Sequence, residues 1–139
     1  MQIAMVPREE LAKVWNVCGP MLDPAVMRTK GRYHLVDLLE AEMSGMSSLW
    51  IAFNQDKEIV GCVHFTISLY PTGMKAGRLD YLGGRDRESW FNPMWETLCS
   101  YAKANQCSKL EMAARPGLVP YVVDRYGGRK VNVNVEVDL

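Results

Sequence analysis

The sequence lacks three features that usually indicate a partner or a cellular location. Lys plus Arg and Asp plus Glu both number 16, so the formal net charge is zero and no overall field attracts nucleic acid or anionic lipid. No apolar run reaches the roughly 20 residues of a membrane-spanning helix. The first residues, MQIAMVPREELAK, meet Pro7 and charge too early for a signal peptide. We therefore expect a soluble protein with neither a nucleic acid nor a membrane partner.

Cysteine and histidine are also sparse. The only candidates for a metal site are Cys18, Cys62, Cys99, Cys107, His34 and His64. No Cys-x-x-Cys pair occurs among them, and a structural zinc site needs four such ligands. We expect no metal site, and we expect the cysteines to be free thiols that act as small hydrophobic residues in a reducing compartment.

What the sequence does contain is enough apolar material for a core. Its 139 residues, 48% of them hydrophobic, predict a single domain over residues 1–139. The predicted order is strand, two helices, three strands, helix, strand, helix and strand. This order indicates the α/β class (α+β): a mixed, mainly antiparallel sheet of about six strands with helices on both faces.

Apolar residues at helical spacing predict three longer helices. The first begins near Leu11, and we expect Gly19-Pro20 and Asp23-Pro24 to break it. The second runs from about Leu35 to Met46. The third covers roughly Ser89 to Asn105, with either Ser89 or Asn92 as its N-cap; Asn92 would place Pro93 at the first helical position, where no hydrogen bond is lost.

Alternation of apolar and polar residues predicts the strands. Ile59 to Tyr70 is a long strand with one apolar face and a second face that carries His64, Thr66 and Ser68. Two further strands follow at Arg78 to Leu82 and Lys109 to Ala113. The final segment, VNVNVEVDL, is the clearest alternation in the chain and predicts a closing strand over Val131 to Leu139.

The stretch LDYLGGRDRESW joins the fourth strand to the third helix. A strand that runs into two glycines and a helix start is a layout that holds phosphate, because unpaired amides and the helix dipole favour an anion. The alternative is a Gly-Gly turn followed by solvated charges. The sequence leaves both interpretations open.

The stretches RYHLVDLLEAEMSG, LWIAF, LDYLGGRDRESW, YAKANQCSKLEM and YGGRKVNVNVEVDL carry a resemblance to known proteins. With the element order, they resemble the GNAT acyltransferase superfamily, and more narrowly a group of small GNAT-like proteins encoded by tailed phages and prophages. The resemblance implies a GNAT-like fold that binds acetyl-coenzyme A or a related acyl-coenzyme A between the fourth and fifth strands. It also implies an amine acceptor, and a location in the host cytoplasm or the virion.

The resemblance also implies which residues bind the cofactor. The coenzyme pyrophosphate would lie on the loop that enters the third helix, formed by Leu82, Gly83, Gly84, Arg85, Arg87 and Ser89. The sequence departs from the family pattern here, because Glu88 and Trp90 occupy positions where the family has glycine and a small residue. Arg115, at the mouth of the implied cleft, would meet an anionic group or pair with Asp124 or Glu111.

The resemblance further implies a tyrosine that protonates the departing thiolate and a base that deprotonates the amine. Tyr121 and Tyr126 are the candidates for the tyrosine, although ordinary packing explains both. Asp80, Glu111 and His64 are the candidates for the base. The competing interpretation pairs the two carboxylates with neighbouring basic residues and places His64 in a hydrogen-bonded surface row.

Two hypotheses follow. The first is an N-acyltransferase acting on an amine. The second is a non-catalytic virion or assembly protein that uses the fold to dock on phage structural proteins, an interpretation favoured by the missing glycine pattern and the displaced tyrosine.

Overall fold

The computed structural model describes Met1–Leu139, and its helices and strands follow the predicted order up to the last helix. The strands are β1 (Gln2–Met5), β2 (Ser47–Phe53), β3 (Ile59–Leu69), β4 (Lys75–Gly84) and β5 (Lys109–Met112). The helices are α1 (Leu11–Met27), α2 (Leu35–Met43), α3 (Arg87–Ala104) and α4 (Val119–Tyr126), and a short 3-10 helix, Arg8–Glu10, precedes α1.

The five strands form one sheet in the order β1-β2-β3-β4-β5. The first three pairings are antiparallel, and only β4 and β5 run parallel. The prediction of a mixed, mainly antiparallel sheet is confirmed, with five strands where about six were expected. The parallel pair is possible because α3 makes the long crossover that such a pair requires.

Helices cover both faces of this sheet. One hydrophobic cluster, which includes Leu22, Leu38 and Cys62, lies between the sheet and α1 and α2. The other, which includes Phe65 and Trp90, lies between the sheet and α3. Because both faces are buried, β3 is apolar and covered on both sides, and the expectation that His64 lies in a surface row is wrong.

α1 is a single helix from Leu11 to Met27, so the predicted breaks at Gly19-Pro20 and Asp23-Pro24 are wrong. Each proline removes one backbone hydrogen bond. The buried stripe of Leu11, Cys18, Leu22 and Val26 offsets that loss by packing on the sheet, and tertiary packing commonly overrides local propensity in this way. None of the helices combines the length and apolar character that a bilayer-crossing helix needs.

α3 begins at Arg87, earlier than either predicted start. Asp86 is the N-cap, with a left-handed φ of 51°, and Pro93 lies inside the helix. Trp90 and Phe91 are buried in the cluster below, which accounts for the early start: a helix beginning at Asn92 would not place these two rings on the sheet.

The C-terminal segment corrects the most distinct sequence prediction. Residues 127–139 form neither helix nor strand, and the predicted strand Val131 to Leu139 is absent. The alternation of the segment is real, but a strand also needs a neighbour for its backbone, and here the segment has none.

Candidate active site

The parallel pair β4 and β5 opens towards one end. Their pairing runs from Ala76↔Lys109 to Leu79↔Met112 and then stops, while β4 continues to Gly84. The two strands part at a bulge: against β3, Tyr81 pairs with His64 and Leu79 with Phe65, so Asp80 has no partner. A bulge bends the strand that carries it. The structure therefore leaves the end of β4, from Asp80 to Gly84, without a strand partner on the β5 side.

Glycines allow three backbones to meet at the end of this opening. A Cβ on Gly83 would overlap the carbonyl group of Met21 in α1, and a Cβ on Gly84 would overlap the carbonyl oxygen of Val60 in β3. Gly84 also has φ of 135°, a conformation open to glycine and few other residues. The Gly-Gly pair therefore brings α1 and the end of β4 into backbone contact.

A cleft of about 340 Å³ lies at this point. Its walls are the last turns of α1, residues 82–84 of β4, the first turn of α3 and the chain after β5. In the first turn of α3 the Ser89 amide donates to the Asp86 carbonyl at 2.8 Å, whereas the amides of Arg87 and Glu88 have no backbone partner. The Asp86 side chain makes no capping hydrogen bond to them. The cleft is therefore bordered by a helix N-terminus that remains free to bind an anion.

Three arginines line the cleft: Arg28, Arg87 and Arg115. None of them has a carboxylate within 4.0 Å. Burial, together with the positive charge of Arg115, lowers the pKa of Arg28. Two like charges held close without an anion between them indicate a site that gains stability when an anion binds. Asp86 and Glu88 also line the cleft and offset part of this charge.

The structure separates the predicted cofactor-binding residues into two groups. Leu82, Gly83, Gly84 and Arg87 line the cleft. The guanidinium of Arg85 instead donates to Glu58 Oε2 at 2.8 Å. The Ser89 hydroxyl donates to the Asp86 carbonyl at 2.7 Å, within the start of α3. Neither of these two side chains is part of the cleft wall.

Arg28 is the cleft residue that sequence reasoning missed. It follows α1 directly, and its place in the cleft depends on α1 continuing past Pro24. The expected break at Pro24 removed the only basis for placing it. Arg115 was considered as a residue at the mouth of the cleft, and the alternative pairings with Asp124 or Glu111 are wrong.

Trp90, which occupies a small-residue position of the family pattern, forms part of the floor of the cleft. It is 1% exposed, and its ring packs on Gly61, where a Cβ would overlap it. Its indole N–H donates to the Arg85 carbonyl at 2.9 Å. The side chain therefore holds the loop from below and leaves the cleft open.

The two candidate tyrosines pack on α3. Tyr126 stacks on Trp95 at 4.3 Å between ring centroids, and its hydroxyl donates to Asn92 Oδ1 at 2.9 Å. Burial and the neighbouring Tyr121 hydroxyl raise the pKa of Tyr126 to about 12. Tyr121 lies edge-on to Phe91 at 5.6 Å. Neither ring lines the cleft, as the packing interpretation expected.

The candidate bases fall into two environments. Asp80, with its side chain 21% exposed, lies 3.2 Å from the Arg78 guanidinium, and Glu111 accepts a 2.7 Å hydrogen bond from Tyr70. That bond raises the pKa of Tyr70. Arg78 and Glu111 are register partners, so both carboxylates lie near the point where β4 and β5 part.

His64 lies apart from this group, in the core. Its Nδ1 is 2.6 Å from Glu42 Oε2, and both residues are buried. The structure therefore brings Asp80 and Glu111 to the opening and assigns His64 to a buried pair with Glu42.

Neither a protein-family model nor a curated protein sequence matches this chain. Solved structures do match over nearly its whole length. A protein described as a probable acetyltransferase superposes with a TM-score of 0.74 at 12% identity, covering 100% of this chain and 98% of its own. A ribosomal-protein-alanine N-acetyltransferase from Brucella melitensis biovar Abortus 2308 gives a TM-score of 0.70 at 17% identity, with 100% of both chains covered.

A predicted acetyltransferase from Clostridium acetobutylicum, solved with acetyl-CoA, gives a TM-score of 0.69 at 14% identity. It covers 99% of this chain and 95% of its own. The chain has a GNAT-like fold. At these identities the likeness concerns the fold alone.

Proposed function

We propose that the protein is a GNAT-type N-acyltransferase that uses acetyl-CoA or a related acyl-CoA to acylate an amine. The observation that carries the proposal is the cleft at the end of β4, which Arg28, Arg87 and Arg115 line without a carboxylate within 4.0 Å of any of them. A site that holds unpaired positive charge against free helix amides suits a ligand with several phosphates.

The residues of the cleft fit coenzyme A. The three arginines would pair with its phosphates, and the first-turn amides of α3 would donate to the pyrophosphate. Glu88 and Asp86 reduce the net positive charge but do not cancel it, since three arginines face two carboxylates. When bound, the cofactor would supply the acyl thioester that the amine attacks.

Asp80 is our candidate for the base. It lies at the bulge, half-buried, and it is free on the β5 side because the strands have parted. Its carboxylate would take a proton from the ammonium form of the acceptor, which an amine must lose before it can attack. Glu111 is held by Tyr70, and we assign it to binding the cationic acceptor before that proton is lost.

For the proton donor to the thiolate, the geometry favours Tyr121 over Tyr126. The Tyr126 hydroxyl already donates to Asn92, and a pKa of about 12 makes it a weak acid. Tyr121 stands on the same helix, with the Arg125 guanidinium 5.5 Å from its ring centroid. Because Tyr121 does not line the cleft, its hydroxyl would have to turn towards it when the cofactor binds.

The test combines binding with transfer. Acetyl-CoA should raise the free energy of unfolding by about 2.7 kcal/mol at a hundredfold excess over its dissociation constant. Labelled acetyl groups should pass to a member of a panel of small amines, polyamines and peptide N-termini. Stabilisation without any transfer would leave a coenzyme-binding protein, and no stabilisation at millimolar acetyl-CoA would overturn the proposal.

A second candidate function is a non-catalytic phage virion or assembly protein that docks on phage structural proteins. The observation in its favour is exposed apolar surface outside the cleft lining: Met27 and Met46 are 71% and 75% exposed, and residues 131–139 carry more. Quantitative mass spectrometry of purified particles and infected-cell cytosol distinguishes the two functions. Absence from particles would remove this candidate.

A further inference from the structure

The three arginines of the cleft come from different elements. Arg87 lies in the first turn of α3, where its own amide and that of Glu88 have no backbone partner. Arg28 directly follows α1, and Arg115 follows β5, so these two line the cleft from outside α3. The cleft therefore presents two kinds of positive group: a helix start that carries one arginine, and a pair of arginines from other parts of the fold.

Arg28 and Arg115 lie close to each other without an anion between them. Burial lowers the pKa of Arg28, and the positive charge of Arg115 lowers it further. Neither guanidinium has a carboxylate within 4.0 Å. Because two positive charges that share a site repel each other, the pair gains most from a ligand that brings more than one negative charge to a single point.

The packing of α1 on β4 holds Arg28 in this position. A Cβ on Gly83 would overlap the Met21 carbonyl, so the backbone of α1 meets the strand about two turns before Arg28. Met21 and Pro24 then line the cleft together with Arg28. The backbone of Arg28 is thus placed before any ligand arrives, and a placed group loses less freedom on binding than a mobile one.

The phosphates of coenzyme A differ in charge. The two phosphates of its pyrophosphate are diesters with one negative charge each, whereas the phosphate on its ribose is a monoester with about −1.5 to −2 charges near neutral pH. The free amides of α3 and the Arg87 guanidinium suit the pyrophosphate, since a helix start binds phosphate. The pair of Arg28 and Arg115 suits the monoester, since guanidinium groups bind phosphate through parallel hydrogen bonds.

We propose that Arg28 and Arg115 form a subsite for the ribose phosphate of coenzyme A, and that the protein selects coenzyme A over dephospho-coenzyme A through this subsite. The inference rests on the proposed acyltransferase function and adds to it which part of the cofactor each arginine recognises. Dephospho-coenzyme A keeps the pyrophosphate and the thiol and lacks only the monoester. It would therefore leave the two arginines without their anion.

Isothermal titration calorimetry of the full chain, with coenzyme A and with dephospho-coenzyme A, tests the subsite. The wild type should bind coenzyme A roughly 10- to 150-fold more tightly, which is the effect of hydrogen bonds to a charged group. Arg28→Ala and Arg115→Ala should each reduce this ratio of affinities. The double variant should bring the two affinities to within about twofold of each other, because nothing then distinguishes the monoester.

Arg87→Ala is the matched control, because Arg87 lines the same cleft but lies at the start of α3. It should weaken the binding of both molecules by the same factor and leave the ratio unchanged. A ratio that stays unchanged in the double variant, or equal affinities in the wild type, would overturn the inference and leave the acyltransferase function standing. Binding of neither molecule at millimolar concentration would overturn both.

Discussion

At the scale of single residues, the charged side chains that line the cleft contribute more to its affinity for an anion than the glycine pattern of the loop does. Glu88 and Trp90 stand where the GNAT pattern has glycine and a small residue, yet Trp90 packs below the loop and three arginines line the space above it. Arg28 and Arg115 are close enough for one to lower the pKa of the other. An anion that binds both would relieve this repulsion, so anion affinity depends on residues outside the motif.

We therefore predict that Arg28→Ala and Arg115→Ala each weaken coenzyme A binding. A hydrogen bond to a charged group contributes about 1.5–3 kcal/mol, which corresponds to a loss of roughly 10- to 150-fold in affinity. Isothermal titration calorimetry with coenzyme A measures this loss of affinity. Arg85→Ala is the matched control, since Arg85 pairs with Glu58 outside the cleft, and its affinity should stay within about twofold of the wild type. Equal losses in all three variants would indicate a site on the Arg85 side of the loop.

A second residue-scale prediction concerns alkaline pH. The pKa values of Tyr126 and Tyr81 are both raised to about 12, mainly by burial. The folded state thus holds these protons more tightly than the unfolded chain, where tyrosine ionises near about 10. The resulting stability is present below that pH and is lost as pH rises towards about 12.

Ultraviolet absorbance of the phenolates tests this. The titration of the wild type should show a late component near pH 12. Tyr126→Phe should remove part of that component and Tyr81→Phe another part. If every tyrosine of the folded protein ionised in one step near about pH 10, the buried environments of Tyr126 and Tyr81 would be contradicted.

At the scale of elements, the cleft depends on how closely α1 approaches β4. Gly83→Ala places a methyl group against the Met21 carbonyl, which belongs to backbone and cannot rotate away. Overpacking of this kind costs about 1–3 kcal/mol of unfolding free energy. Gly117→Ala is the control, because a Cβ there meets nothing within 4 Å, and its effect should stay within about 0.5 kcal/mol. Urea unfolding measures both, and an unchanged midpoint for Gly83→Ala would contradict this account of the contact.

Elements with a strong internal pattern could be predicted from the sequence. β3 was predicted from its alternation. A strand, two glycines and a helix start in series raised the prediction of a phosphate-holding loop, and the structure has a cleft at that point. The start of α3 and the continuity of α1 could not be found. Pro20, Pro24 and Pro93 oppose a helix locally, and only burial of the facing stripe, a long-range effect, outweighs them.

The C-terminal segment shows the opposite error. Its alternation is perfect, but periodicity reports only which residues would share a face and says nothing about the neighbouring strand. The Glu42–His64 pair was missed for a related reason: which acid meets a buried histidine 22 positions away depends on the packing of α2 on β3. Contacts of this kind follow from the assembled fold.

At the scale of the whole molecule, one sheet serves two hydrophobic clusters. The cluster on the α3 side includes Trp50 and Trp90, and the cluster on the α1 side includes Cys18 and Cys62. Both clusters are built on β3, whose successive residues face them in turn. Loss of the sheet would expose both, so residues 1–139 are expected to unfold as a single domain, with a total stability of about 5–15 kcal/mol.

Two probes in one urea titration check this. Tryptophan fluorescence reports the α3 side once Trp15, which packs against the α1-side cluster, is replaced by phenylalanine. Reaction with a thiol reagent reports the α1 side once Cys99 and Cys107, the two half-buried thiols, are replaced by serine. In the folded state Cys62 should react slowly, because its contact with Cys18 and its burial raise the pKa of the thiol. The urea midpoint obtained from pulses of the thiol reagent should equal the midpoint obtained from tryptophan fluorescence. Labelling of Cys18 and Cys62 at a lower urea concentration than the fluorescence change would mean that α1 and α2 leave the sheet first, and the cleft wall formed by α1 would then be the least stable part of the site.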